Sequence, residues 1–170
     1  MQANSHNKVS IDQDFMALAM NLAAQAAQYG EVPVGALVVC DGQVIGQGYN
    51  QTISMHDPCG HAEIIALRQA AQAIGNHRLS DCDLYVTLEP CTMCVGAIIH
   101  SRIKRLVYAA TEPKAGAVDS QLQLLALPHY NHVVQVISGV MADESSVMLS
   151  YFFKQRRLHH KANKAATASS

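Results

Sequence analysis

The chain has no tryptophan and only three phenylalanines, and aromatic residues of every kind make up 5% of its 170 residues. A core with so few rings has to be filled by aliphatic side chains, and the heavy use of alanine favours helices packed closely against small neighbours. No apolar run exceeds about half of the ~20 residues that a membrane-spanning helix needs, so no membrane association is expected. The opening stretch MQANSHNKVSIDQD lacks the apolar core and cleavage pattern of an export signal. Five cysteines are an odd number, and without such a signal they do not read as a disulfide framework. A cytoplasmic protein with metal-binding or catalytic thiols is the better expectation. Net charge is low too: 12 Lys+Arg face 13 Asp+Glu, a balance of -1 that predicts no general affinity for polyanions.

What is present has more to say. Hydrophobic residues at 49% and charged ones at 15% give a globular composition, and the length suits one domain with a real core. The charges are unevenly spread. Residues 1–150 carry 7 Lys+Arg against 13 acids, a net of -6, whereas residues 151–170 carry 5 and no acid, a net of +5. A basic tail on an acidic body points toward a polyanionic partner.

The spacing of Phe15, Leu18, Ala19, Leu22 and Ala26 predicts a first helix over 12–29, with Gly30 as its stop. Two β-branched runs, 34–39 and 44–49, flank Asp41-Gly42 and predict a hairpin. The polar stretch 50–60 reads as a loop. A helix follows over 61–75, then a strand at 83–87 and a helix opened by Pro90 and running to His100. Strands at 105–109 and 133–138 bracket a short helix near 121–127, and the last helix runs from about Asp143 into the tail. The order predicts an α/β fold: a three-layer α/β/α sandwich around a mixed five-stranded sheet, as one domain over 1–170. The ends, about 1–10 and 165–170, are expected to be flexible.

Two short segments carry chemistry. In Pro90-Cys91-Thr92-Met93-Cys94 the two thiols are three apart, so a helix directs both sulfurs to one side. The partial positive charge of a helix N-terminus favours thiolate over thiol. A lone Cys-x-x-Cys also fits a redox dithiol. His61 adds a neutral nitrogen, for three protein ligands, which is the count of a catalytic zinc site that leaves its fourth position to water. Glu63, two residues beyond His61, could move protons there; a glutamate near a helix start can also be a simple cap or dipole partner. His-x-Glu together with Pro-Cys-x-x-Cys is the signature of zinc-dependent nucleobase deaminases.

At these residues the sequence resembles the cytidine deaminase superfamily, and within it the bacterial tRNA wobble-adenosine deaminases. EVPVGALVV, IGQGYN, HAEIIALRQA, LYVTLEPCTMC, GAIIHSRI and FFKQRR resemble stretches of that family in the same order, over roughly residues 12–160. The resemblance implies a cytidine deaminase-like fold and one Zn²⁺ per subunit on His61, Cys91 and Cys94. It implies attack of zinc-activated water on C6 of an adenosine in a tRNA anticodon stem-loop, with Glu63 shuttling protons and inosine as product. It also assigns substrate contacts to Asn50 and the Ala62 backbone N–H, RNA contacts to Lys114, Arg156 and Arg157, and a homodimer.

Two departures qualify it. Cys59-Gly60 stands where the family usually has Thr and Ala, and Cys59 could offer zinc a fourth ligand. Glu112 replaces an aspartate that contacts RNA in many relatives. Cys40 and Cys82 lack partners at ligand spacing and read as core residues. A deaminase of free guanine or cytosine, which needs no basic tail, stays open as an alternative. So does a non-enzymatic, zinc-stabilised binding module.

Overall fold

In the computed structural model residues 3–168 are described, with side chains over 10–164. Helix α1 (Ala3–Gln28) leads into strands β1 (Gly35–Cys40) and β2 (Gln43–Tyr49), then α2 (Ala62–Ile74), β3 (Cys82–Leu88), α3 (Thr92–His100), β4 (Arg105–Ala110), β5 (Gln135–Ser138) and α4 (Ala142–Ala168). The five strands form one sheet in the order β2-β1-β3-β4-β5. β1 runs antiparallel to both β2 and β3, while β3, β4 and β5 are parallel. Helices α2 and α3 cover one face, and α1 and α4 the other. This is the expected three-layer sandwich. The helical backbone of α1 and α4 takes in most of the ends expected to be flexible, whose outermost residues, 1–2 and 169–170, lie outside the described residues.

The hairpin is built as its sequence suggests. Asp41 and Gly42 both have positive φ, 49° and 75°, and Cys40 pairs with Gln43 across the turn. On β2, Gly46 and Gly48 lie directly under α2, where a Cβ would strike the carbonyls of Ala66 and Ala62. Their missing side chains let α2 settle onto the sheet edge. Gly75, in the left-handed region at φ 70°, ends that helix.

Several elements differ from the sequence reading. Of the positions expected on the inner face of α1, Ala19 and Ala26 are buried and Phe15 and Leu22 pack against the core, whereas Leu18 is exposed; Asp12, Met16, Met20 and Ala23 are buried with them. Asp12 joins that face because Arg105 clamps it with two hydrogen bonds of 2.8 Å, and Tyr85 donates a third of 2.7 Å. Arg105 is only 5% exposed and also binds Asp83, so the buried charge of Asp12 is paired. The helix expected at 121–127 shrinks to one 3₁₀ turn, Leu124–Ala126. Cys40 and Cys82, read as separate core residues, face each other across β1 and β3.

Candidate active site

β3 ends at Leu88, and α2 and α3 begin beside it. Two helix N-termini therefore converge at the carboxyl end of the parallel strands, where open α/β sheets place their ligands. His61 is the N-cap of α2 and Cys91 the N-cap of α3, and neither side chain caps its own helix. Instead the two turn toward each other and toward Cys94, one turn into α3.

Pro90 was expected to open α3. The helix begins two residues later because Cys91 stays extended (φ -78°, ψ 174°), bridged to Gly116, while the Ala117 N–H donates to the Pro90 carbonyl. The delay places the first thiol on the N-cap and the second in the first turn, so both meet the positive end of the helix.

His61 Nδ1 lies 3.7 Å from Cys91 Sγ and 3.5 Å from Cys94 Sγ, and the sulfurs are 3.7 Å apart. Tetrahedral Zn²⁺ with Zn–S of about 2.3 Å and Zn–N of about 2.05 Å requires S–S of about 3.8 Å and S–N of about 3.6 Å. The donor set fits the ion. Cys94 is fully buried and forms the floor, while His61 and Cys91 are half-buried and leave the site approachable from one side. The contact with Cys94 holds the Cys91 thiol down to about 3. The same contact, together with burial, pushes the Cys94 thiol up. A dication between the sulfurs is what makes two adjacent thiolates compatible.

Glu63 points from the first turn of α2 into the interior and is 3% exposed. Burial drives its carboxyl above the ordinary range, with the neighbouring His61 working against that rise. A buried carboxylate poised to hold a proton beside a three-donor metal site is the arrangement of a general acid–base. Asn50, at the end of β2, is also buried, and its Oδ1 accepts the Ala62 N–H at 3.0 Å. The two positions expected to touch substrate are thus joined to each other, and the Ala62 N–H is already engaged.

Cys59 is not part of the metal-binding group among the described residues. Its N–H donates to Asp57 and its carbonyl accepts from His61, so its backbone shapes the approach to the histidine.

Residues 9–110 match the model of the cytidine and deoxycytidylate deaminase zinc-binding region. The chain belongs to that deaminase family. Its similarity reaches well past the zinc segments. The tRNA-specific adenosine deaminase of Haemophilus influenzae is 50% identical over 159 residues, spanning 93% of this chain and 92% of that protein. The protein of the same name from Agrobacterium fabrum is 46% identical over 85% of this chain and 95% of its own length. A solved structure from biochemical and structural studies of A-to-I editing by tRNA:A34 deaminases superposes with a TM-score of 0.78 at 46% identity, covering 80% of this chain and 99% of that one.

The deaminase positions its ligands through residues that motif reading passed over. Glu31, fully buried after α1, accepts the N–H groups of Ile53 and Ser54 and the Thr52 hydroxyl. It thereby holds the loop that leads to His61. Burial works to raise the Glu31 carboxyl, but those hydrogen bonds win and lower it. Glu89, two residues before Cys91, does the same for the loop 111–120. Neither had a local signal, because a lone glutamate in a loop looks like solvated charge.

Of the expected RNA contacts, Lys114 is exposed two residues from Gly116 and so on the rim beside Cys91. The Glu112 carboxylate accepts the Lys114 N–H within the exposed turn of the same loop. Arg156 lines a cleft of about 490 Å³ with Gly30, Tyr151, Phe152 and His159, between the end of α1 and α4. Tyr29 beside it stacks on Tyr49, the neighbour of Asn50. Arg157 is exposed on the next position of α4.

Proposed function

We propose that this protein hydrolyses adenosine to inosine at the wobble position of a tRNA anticodon, with one zinc ion held by His61, Cys91 and Cys94. The observation that carries the reading is a three-donor metal group, open on one side, with the enclosed carboxyl of Glu63 against it. Similarity to tRNA-specific adenosine deaminases over nearly the whole chain supports the choice of base and of RNA.

When bound, zinc supplies a Lewis acid that brings the pKa of water toward about 7. Glu63 is the residue placed to accept a proton from the attacking water. Its raised affinity for protons lets it hold the proton and pass it to N1 of the base, then carry the proton of the hydroxyl added at C6 to the departing amino group as the C6–N bond breaks. Adenosine and water become inosine and ammonia. Asn50, with its Oδ1 committed to Ala62, meets the nucleoside through its NH₂ group and braces the Ala62 amide beside the base.

An anticodon loop suits this site because its bases leave the stack at low cost. Lys114 on the rim and Arg156 and Arg157 on α4 are the phosphate contacts, and the cleft between α1 and α4 gives the loop an apolar wall. The reading extends to a cytoplasmic homodimer. No helix among the described residues is long and apolar enough to cross a membrane. An apolar groove on α2 and α3, lined by Ile64, Leu67, Ala71 and Ala97, supports self-association.

Sequencing the anticodon of tRNA incubated with the purified zinc-loaded protein tests the proposal. Inosine at the wobble position is the expected result. Release of ammonia from free guanine or cytosine, with no inosine in tRNA, would replace it by the small-molecule reading.

A further inference from the structure

Glu89 is 3% exposed and meets no cation among the described residues. All of its side-chain partners come from one loop. Its carboxylate accepts the N–H groups of Glu112 (2.9 Å), Val118 (3.2 Å), Asp119 (2.8 Å) and Ser120 (2.9 Å), and the Ser120 hydroxyl. Gly116 packs directly on it, in a space where any Cβ would collide with the carboxylate. The loop is thus wrapped around an anion supplied by the protein itself. Its N–H groups would otherwise point inward without acceptors.

The wrapped loop is also the one that bridges to Cys91 through Gly116 and carries Lys114 on its outer side. None of the hydrogen bonds to the Glu89 side chain comes from His61, Cys91 or Cys94. Its contacts go to the loop that stands beside Cys91.

We propose that Glu89 is a positioning residue of this deaminase: its buried carboxylate gathers the loop 111–120 into the RNA-facing rim of the site, and so governs RNA affinity rather than the chemical step. The inference rests on the tRNA-deaminase reading for its ligand, but the loop's dependence on Glu89 stands apart from that reading. Glu89→Gln nearly preserves shape while turning an NH₂ donor toward a ring of donors. Gly116→Ala disturbs the same contact from the other side and leaves Glu89 in place.

Both variants are prepared with zinc and compared with the wild-type protein on an anticodon stem-loop. KM is expected to rise at least about tenfold in each, from lost acceptors facing buried donors, while kcat stays within about threefold. Zinc stoichiometry and the visible spectrum of the Co²⁺-substituted protein stay unchanged. Amide hydrogen exchange at Glu112, Val118, Asp119 and Ser120 accelerates, and the double variant loses little more than either single one. An equal fall in kcat, an altered Co²⁺ spectrum or lost zinc in the folded variants overturns the proposal, because Glu89 then acts on the metal site. Unchanged exchange at those amides overturns it as well, and is readable in a protein with no activity on RNA. Absence of inosine with the wild-type protein refutes the proposed substrate instead, and the exchange and spectral data still decide whether Glu89 holds the loop.

Discussion

Glu63 and Glu89 are equally buried, at 3% exposure each, and the regions around them treat the charge in opposite ways. Glu63 lies beside His61, Cys91 and Cys94, and burial drives its carboxyl upward. The pocket around Glu89 is also buried, which works to raise it, but five donors from the 111–120 loop outweigh that and hold the carboxyl low. Low exposure alone therefore does not make a carboxylate reactive. The balance between desolvation and the donors aimed at it decides. A carboxyl short of donors keeps its appetite for a proton and can shuttle one, whereas a saturated carboxylate is a structural anion.

The comparison can be broken or sharpened in order of effect. Cys94→Ala removes the buried donor from the floor of the reactive pocket. Zinc content measured by atomic absorption should fall to near zero and deamination with it, since two donors do not retain the ion. Glu63→Gln should keep zinc and lower kcat by about 10²–10⁴, the usual contribution of a general acid–base. A fully active variant would strip Glu63 of its role. Glu31, a second saturated carboxylate, offers the stability side of the contrast. Its carboxyl is held below the usual range, so its contribution is present above the unfolded value near 4.3 and is lost as pH falls from there through the folded value. Glu31→Gln should cost about 1–3 kcal/mol at neutral pH. Its thermal unfolding midpoint should then drop less steeply than that of the wild type between about pH 5 and 3. The smallest effect belongs to the exposed tail, where charges are neither buried nor saturated. Replacing Arg156 and Arg157 by Ala should weaken stem-loop binding and reduce its salt slope by about 1–2, with zinc content unchanged. Binding titrations at several salt concentrations read this directly.

How much of this was legible in the chain differs by residue. His61, Glu63, Cys91 and Cys94 could be read directly, because metal donors and their proton carrier must be of particular types at particular spacings. The hairpin was legible for the same kind of reason: Asp41-Gly42 is a local solution to a local demand for positive φ. The start of α3 was not, since Cys91 is kept extended by Gly116, 25 positions further along. The burial of a charged Asp12 on α1 was not either, since its partner Arg105 lies 93 residues away. Glu31 and Glu89 stayed silent because their donors lie 21 to 31 residues away.

The sequence by itself determined which atoms could bind a metal and which group could move a proton, since these are properties of side chains and short spacings. Only the tertiary structure decided that Glu63 would be short of donors, that Glu89 would be saturated, and that the Ala62 amide would be held by Asn50. The physical reason is that the behaviour of a buried charge is set by what surrounds it, and those surroundings come from segments far apart along the chain.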